Sequence, residues 1–138
     1  MSSSGSPPAA RPRVAAGALF CDDQGRIMLV RPTYKAGWDI PGGYVEAGES
    51  PYQACVREIG EELGIAPRLG DLLVVDWAPV EHNGDKILFI FDGGTLNEDD
   101  LGRIEFVDGE IDEYRYISAS DVDRSRTSTT RPMDPYRS

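Results

Sequence analysis

The sequence is poor in the residues that several classes of functional site require. It has two cysteines, Cys21 and Cys55, and their spacing fits neither a metal-binding motif nor a disulfide framework. We therefore expect both to be structural thiols. The only histidine, His82, stands beside a predicted hairpin tip, so we expect it to be solvated and not to act as a general base.

Positive charge is also scarce. The chain has 14 Lys and Arg residues against 24 Asp and Glu residues, which gives a formal net charge of −10. A nucleic-acid-binding surface needs clustered Lys and Arg to contact phosphates, so DNA is not an expected partner. An anionic small-molecule substrate would need metal ions to bridge it to so acidic a protein.

Long apolar runs are absent. No run approaches the roughly 18 residues of a membrane-spanning helix, and the first residues lack the apolar segment of a secretory signal. We expect no membrane association and, by default, a cytoplasmic location. The 138 residues are enough for one domain. We assign 1–12 to a disordered N-terminal tail, 13–123 to the domain and 124–138 to a polar C-terminal tail.

Two glycine motifs and the EF-hand loop are missing as well. Without a Gly-x-Gly-x-x-Gly motif or a P-loop, a doubly wound nucleotide-binding sheet is not expected. The element order of strand, strand, helix and further strands predicts an α+β sandwich. We expect strands 14–21 and 26–31 to lie in one buried sheet, with later strands at 70–81, 86–92, 103–107 and from 116, and a hairpin turn at Asn83-Gly84.

A helix is predicted in the most constrained stretch. Ser50 fits the N-cap, Pro51 the first helical position and Gln53 the return bond of a capping box. Gly64 fits a left-handed C-cap, so the helix should end near Leu63. Its periodicity predicts a core-facing stripe of Tyr52, Val56, Ile59 and Leu63.

Three carboxylates share another face of this helix. Glu58, Glu61 and Glu62 repel one another at helical spacing, so they need either full solvation or a cation. Hard divalent ions prefer such oxygen ligands. The alternative is the solvated acidic side of an amphipathic helix. Gly60, within the helix, is either a tolerated free position or a point of close approach.

The spacing of the whole stretch favours the cation. It contains Gly43, Glu49, then Arg57-Glu58-Ile59, Glu61-Glu62 and Gly64-Ile65, separated by five, seven, one and one residues. This pattern resembles the signature of the Nudix hydrolases at every defined position. The resemblance implies the Nudix fold, an α/β/α sandwich with a mixed β-sheet, whose glutamates hold Mg²⁺, or alternatively Mn²⁺, against a nucleoside diphosphate linked to another group X.

The resemblance also implies roles for individual residues. Glu58 and Glu62 resemble the principal metal ligands, and Glu61 a ligand or water-positioning group. The main-chain carbonyl of Gly43 would complete a metal site. The supporting residues would be Glu49, acting through water, and Arg57, which orients the glutamates because it keeps its charge.

Residues outside the signature are weaker candidates. A glutamate before the last strand completes the site in many relatives, and Glu110 fits that position, with Glu113 as the alternative. Arg31 and Lys35 are candidates for the outer phosphates. Trp38, in a Trp-x-x-Pro-Gly-Gly lead-in, would stack on a base or plug the loop against the core.

These expectations give an Mg²⁺-dependent pyrophosphohydrolase in which water attacks phosphorus and one of Glu58, Glu61, Glu62 or Glu110 accepts the proton. ADP-ribose hydrolases of the family often have a proline about fifteen or sixteen residues after the signature, and Pro79, fifteen residues after Gly64, resembles it. Oxidised nucleoside triphosphates are a comparable substrate class. The alternative is a non-catalytic metabolite-binding module. Exposed strand edges and the lack of a C-terminal helix pattern favour a homodimer.

Overall fold

The computed structural model describes residues 6–80 and 84–122. It contains six strands and two helices, which are β1 (Arg13–Phe20), β2 (Ile27–Pro32), β3 (Gly42–Tyr44), α1 (Pro51–Leu63), β4 (Leu72–Val80), β5 (Gly84–Gly94), α2 (Glu98–Arg103) and β6 (Ile111–Ile117). A 3₁₀ turn at Ala119–Asp121 follows β6. The C-terminal tail predicted at 124–138, together with His82 and Asn83, lies outside the described residues.

The strands form two sheets. A four-stranded sheet has the order β3-β1-β5-β4, and β2 pairs with β6 in a separate antiparallel sheet. Because β1 is parallel to β5 while the other pairs are antiparallel, the larger sheet is mixed, as predicted. The prediction that β1 and β2 share one sheet is wrong. Both edges of β1 are occupied, by β3 and β5, so β2 joins it only through the Cys21–Ile27 bridge.

Helix α1 begins and ends as predicted. The Ser50 hydroxyl accepts a hydrogen bond from Gln53 N at 3.1 Å, and the Gln53 side chain accepts one from Ser50 N at 2.9 Å. Gly64 closes the helix with φ 72°, and its N–H donates to Gly60 O at 3.0 Å. The capping box and the left-handed cap therefore fix both ends of the helix that carries the glutamates.

The buried face of α1 differs from the predicted stripe. Ile59 and Leu63 lie in the core, but Tyr52 and Val56 are 40% and 38% exposed. The buried face is rotated toward Cys55 and Glu62. Tyr52 lies at the rim of the core, where its hydroxyl donates to Leu69 O at 3.0 Å and its ring meets Phe91 edge-on.

The chain after the hairpin also departs from expectation in one segment. A short helix not predicted from the sequence, α2, begins after Asn97, whose side chain accepts from Asp100 N at 2.7 Å and caps it. The strand predicted at 103–107 is absent: Arg103 ends α2, and 104–107 follow it as irregular chain. Neither α1 nor α2 is long and apolar enough to span a membrane, nor is any other helix in the described part of the chain.

Candidate active site

A cavity of about 420 Å³ opens where α1 passes over β3. Its walls combine residues from the start of β1, the strand and loop before α1, the helix itself and the segment before β6. Three of the predicted glutamates reach it, and the full lining comprises Arg13, Tyr34, Gly42, Gly43, Tyr44, Val45, Glu46, Glu58, Glu62 and Glu110.

Glu62 is the most buried ionisable residue of the cavity. Its side chain is on the core side of α1, the residue is 5% exposed, and its Oε1 accepts a hydrogen bond from Gly42 N at 3.1 Å. Burial raises the pKa of its carboxyl from 4.5 to about 8, against the lowering effect of that hydrogen bond, and the charges of Glu58 and Glu110 add to the increase. A negative charge at Glu62 is therefore costly without a cation.

Glu58 lies against the backbone of β3. A Cβ added at Gly43 would overlap the Glu58 carboxylate, so only glycine leaves room for that carboxylate at this point of the strand. Burial raises the pKa of Glu58, although the hydrogen bond from Arg57 acts in the opposite direction. The first glycine of the signature thus has a direct steric role.

Arg57 connects the remaining carboxylates. Its Nε and Nη2 donate to the two oxygens of Glu49 at 2.6 and 2.9 Å, and Nη2 also donates to Tyr44 O at 3.0 Å. Its Nη1 donates to Glu58 at 3.0 Å and to Glu61 at 3.2 Å. This pairing lowers the pKa of Glu49 to about 2, so Glu49 stays charged. Arg57 joins the loop before α1 to the helix and orients Glu58 through its own bond.

The segment before β6 contributes Glu110. Its backbone N–H donates to Asp108 Oδ1 at 3.0 Å, and its side chain lines the cavity. Glu113 lies farther along β6, where it forms ion pairs with Arg31 and Arg115. The side chain of Glu61 is 49% exposed and is not part of the cavity lining.

The three substrate-binding candidates lie away from this lining. Arg31 pairs with Asp112 at 2.8 Å, and Lys35 pairs with Asp39 at 2.8 Å. The Trp38 ring is stacked under the guanidinium of Arg115, at 4.4 Å. Their roles in binding stay predictions.

The sequence patterns did not identify four of the lining residues as site candidates, namely Arg13, Tyr34, Tyr44 and Glu46. Arg13 reaches the cavity only because β1 pairs with β3, a contact between segments about thirty residues apart.

The donor set fits a hard divalent cation. In residues 6–80 and 84–122, no three His, Cys, Asp or Glu side chains converge closely enough to hold a metal ion. Nevertheless, Glu58, Glu62 and Glu110 line one cavity, and each of the first two has its pKa raised by the charge of Glu110. Oxygen donors that repel one another in a partly buried site are stabilised by Mg²⁺ or a similar ion.

The NUDIX domain family model matches residues 11–136, which is most of the chain. The chain belongs to the NUDIX family. Among its relatives, the RNA pyrophosphohydrolase of Pseudoalteromonas translucida is 36% identical over 121 residues, which cover 77% of this chain and 70% of that protein. The ADP-ribose pyrophosphatase of Methanocaldococcus jannaschii is 37% identical over 105 residues. These cover 70% of this chain but 62% of that relative, less than two thirds of its length.

Solved structures agree with this assignment. The MutT protein from Methanosarcina mazei Go1 is similar with a TM-score of 0.71 and 25% identity, covering 89% of this chain and 87% of that one. A MutT NUDIX hydrolase from Burkholderia pseudomallei gives 0.66 and 27%, covering 78% and 84%. The predicted α+β Nudix fold is confirmed, and this NUDIX chain is by class a hydrolase of diphosphate bonds.

Proposed function

We propose that this NUDIX chain is an Mg²⁺-dependent pyrophosphohydrolase that cleaves a nucleoside diphosphate linked to a group X by attack of water on phosphorus. The observation that carries the proposal is that Glu58, Glu62 and Glu110 line one cavity together with Gly43. Burial and neighbouring negative charges raise the pKa of Glu58 and of Glu62, so the site favours a bound cation over bare carboxylates.

The residues that would hold Mg²⁺, or Mn²⁺ in its place, are Glu58, Glu62 and Glu110, with the carbonyl of Gly43 and, at the edge, Glu61. The ion would neutralise charge on the diphosphate and acidify a water molecule. The chain itself would set the geometry. Arg57 would hold Glu58 and Glu61 in orientation, with Glu49 fixing Arg57 in turn.

A carboxylate of the cavity would accept the proton of the attacking water. Glu62 lines the cavity, and its Oε1 accepts a hydrogen bond from Gly42 N. Glu58 Oε2 is engaged by Arg57 at 3.0 Å, whereas no hydrogen bond involves the Glu110 carboxylate within the described residues. Glu110 is therefore a base candidate beside Glu58 and Glu62, and the position of Glu61 outside the lining supports an indirect role for it.

The substrate class we propose is a small nucleotide, either ADP-ribose or an oxidised nucleoside triphosphate. A cavity of about 420 Å³ is of the size that binds small organic ligands. The formal net charge of −10 disfavours the long phosphate backbone of RNA, although relatives named RNA pyrophosphohydrolase make a 5′-triphosphate RNA end a necessary test substrate.

The deciding experiment measures product release from ADP-ribose, oxidised and ordinary nucleoside triphosphates, sugar nucleotides, dinucleoside polyphosphates and a 5′-triphosphate RNA. Each is assayed with Mg²⁺, Mn²⁺ and EDTA. Glu62→Gln should abolish turnover because it removes a cavity charge with little change of shape. The matched control is Glu98→Gln, the same change at an exposed position of α2, which should leave turnover intact.

The possible results of this experiment lead to different conclusions. Chelator-sensitive cleavage of one substrate class names X, and full activity of Glu62→Gln would contradict the metal-ligand role of Glu62. Tight binding of one compound without cleavage would instead favour the non-catalytic metabolite-binding module.

We also propose that the chain forms a homodimer. β4 is an edge strand, and its large apolar side chains are 45–54% exposed, which leaves a long apolar edge available for pairing. Light scattering after gel filtration should give a dimer mass for the wild type and a monomer mass for Val75→Lys. A wild-type monomer at micromolar concentration would contradict this proposal.

A further inference from the structure

One cation lines the candidate active site without a carboxylate partner. Arg13, at the first position of β1, is the only Lys or Arg among the described residues that line the cavity. Its guanidinium lies 3.7 Å from the centre of the Tyr44 ring. The side chain of Arg13 forms no hydrogen bond or ion pair within residues 6–80 and 84–122. Its N–H donors are therefore available to a ligand.

The other cations that the sequence suggested for the site are all paired with carboxylates. Arg57 is saturated by Glu49, Glu58 and Glu61, while Arg31 and Lys35 are each paired with aspartate. In a chain with 24 acidic residues, Arg13 lines a cavity together with glutamates and forms an ion pair with none of them within the described residues.

The Tyr44 ring determines where that charge lies. In the β1–β3 ladder Ala15 is opposite Tyr44 and Ala16 is opposite Gly43, so Arg13 lies beyond Tyr44, on the side away from the Glu58 contact. Successive strand residues are about 3.4 Å apart and point to opposite faces, so the guanidinium over Tyr44 is offset along β3 from the Gly43–Glu58 contact, yet Arg13, Tyr44 and Glu58 line the same cavity. Stacking on the ring also keeps the guanidinium flat, which leaves its edge to form paired hydrogen bonds.

We infer that Arg13, held flat on Tyr44, is a specificity-determining residue that binds the phosphate group of the substrate lying beyond the one at the Glu58–Glu62 end of the cavity. The site would then require at least two linked phosphates, and a guanidinium is the side chain that matches two phosphate oxygens at once. This inference rests on the proposed pyrophosphohydrolase function and names the residue that binds the second phosphate of the diphosphate.

The test compares inorganic pyrophosphate with orthophosphate, each titrated calorimetrically into the full-length protein with Mg²⁺. Arg13→Gln should weaken pyrophosphate binding by about ten- to a hundredfold, the usual effect of losing charged hydrogen bonds, and leave orthophosphate binding nearly unchanged. Arg13→Lys keeps the charge but not the planar fork, so it should fall between the two. Arg103→Gln is the matched control, because Arg103 is an exposed arginine of α2 outside the lining, and it should bind both ligands as the wild type does.

Two further variants test the stacking. Tyr44→Phe keeps the ring and should bind pyrophosphate normally, whereas Tyr44→Leu should show part of the Arg13→Gln defect. With the substrate that the wild type cleaves, Arg13→Gln should raise KM by about ten- to a hundredfold with a smaller change in kcat.

The results that would contradict the role of Arg13 differ from those that would contradict the catalytic function. Equal pyrophosphate affinity of Arg13→Gln and wild type, equal loss of orthophosphate binding, or no pyrophosphate binding by the wild type would each overturn the inference. If the wild type binds pyrophosphate through Arg13 but cleaves no compound of the substrate panel, the proposed catalytic function fails and the phosphate-binding role of Arg13 stands.

Discussion

Replacing the buried Glu62 by glutamine should make the metal-free protein more stable at alkaline pH. Glu62 is 5% exposed, and burial raises its pKa from 4.5 to about 8. At about 1.4 kcal/mol per pKa unit, that difference sets an upper limit of roughly 5 kcal/mol for the cost of its charge. Water entering the open cavity and relaxation of neighbouring side chains reduce this cost, so we expect about 2 to 4 kcal/mol.

The pH window follows from the direction of the pKa change. Because the folded protein binds the Glu62 proton more tightly than the unfolded chain, the stability that this proton contributes is complete below pH 4.5 and is lost as the pH rises to about 8. Glutamine has no charge to lose and keeps an oxygen that can accept from Gly42 N. The advantage of Glu62→Gln should therefore grow between these pH values and then level off.

The assay is urea unfolding of both proteins in EDTA at pH 5, 6, 7, 8 and 9, followed by circular dichroism. A second series at pH 8 adds Mg²⁺, which should stabilise the wild type more than the variant because only the wild type offers the Glu62 charge to the ion. Parallel stability curves for the two proteins across this pH range, or a variant less stable at pH 9, would refute the reasoning.

Three other substitutions test separate parts of the site. Gly60→Ala should raise the unfolding free energy by about 1 kcal/mol without loss of activity, because an added Cβ would meet only Ile65 O, at 3.9 Å, and alanine is the better helix residue. Gly43→Ala should fold, yet lower turnover by about tenfold or more by displacing the Glu58 carboxylate, and normal turnover would contradict that contact. Arg57→Lys should raise the Mg²⁺ concentration for half-maximal activity by about ten- to a hundredfold, since lysine cannot form the paired bonds to Glu49, and an unchanged Mg²⁺ dependence would exclude this orienting role.

Local chemistry made helix α1 predictable from sequence. Its two caps are formed by side-chain and backbone groups within a few residues of each other, so Ser50, Gln53 and Gly64 define its ends without reference to the rest of the fold. β4 was also predictable, because the apolar run within the strand predicted at 70–81 is the observed strand Leu72–Val80. The resemblance to the family signature then predicted that the glutamates on one face of α1 hold a divalent metal ion.

Features that depend on distant segments were not predictable in this way. The sequence around β1 and β2 contains two apolar runs and a turn, which is typical of a hairpin, but β1 is enclosed by β3 and β5 instead. Glu62 illustrates the same limit, because helical periodicity assigns a glutamate to the polar side until the position of the Gly42 backbone is known.

The inward position of Glu62 also explains why the predicted apolar stripe of α1 was rotated. A carboxylate occupies part of the core-facing surface, and Tyr52 moves to the rim. A pattern based on hydrophobicity alone cannot anticipate a charged residue that is buried for chemical reasons.

The burial of Cys55 gives the protein an internal reporter of helix opening. This free thiol is fully buried on α1, and burial together with the charges of Glu62 and Glu58 raises its pKa to about 12. It should therefore resist alkylating reagents until α1 separates from the sheet, whereas Cys21 is only partly buried and serves as the reference thiol. The alkylation rate of Cys55 consequently measures how often α1 detaches from the sheet, and its slowing by a ligand would record binding in the absence of any turnover.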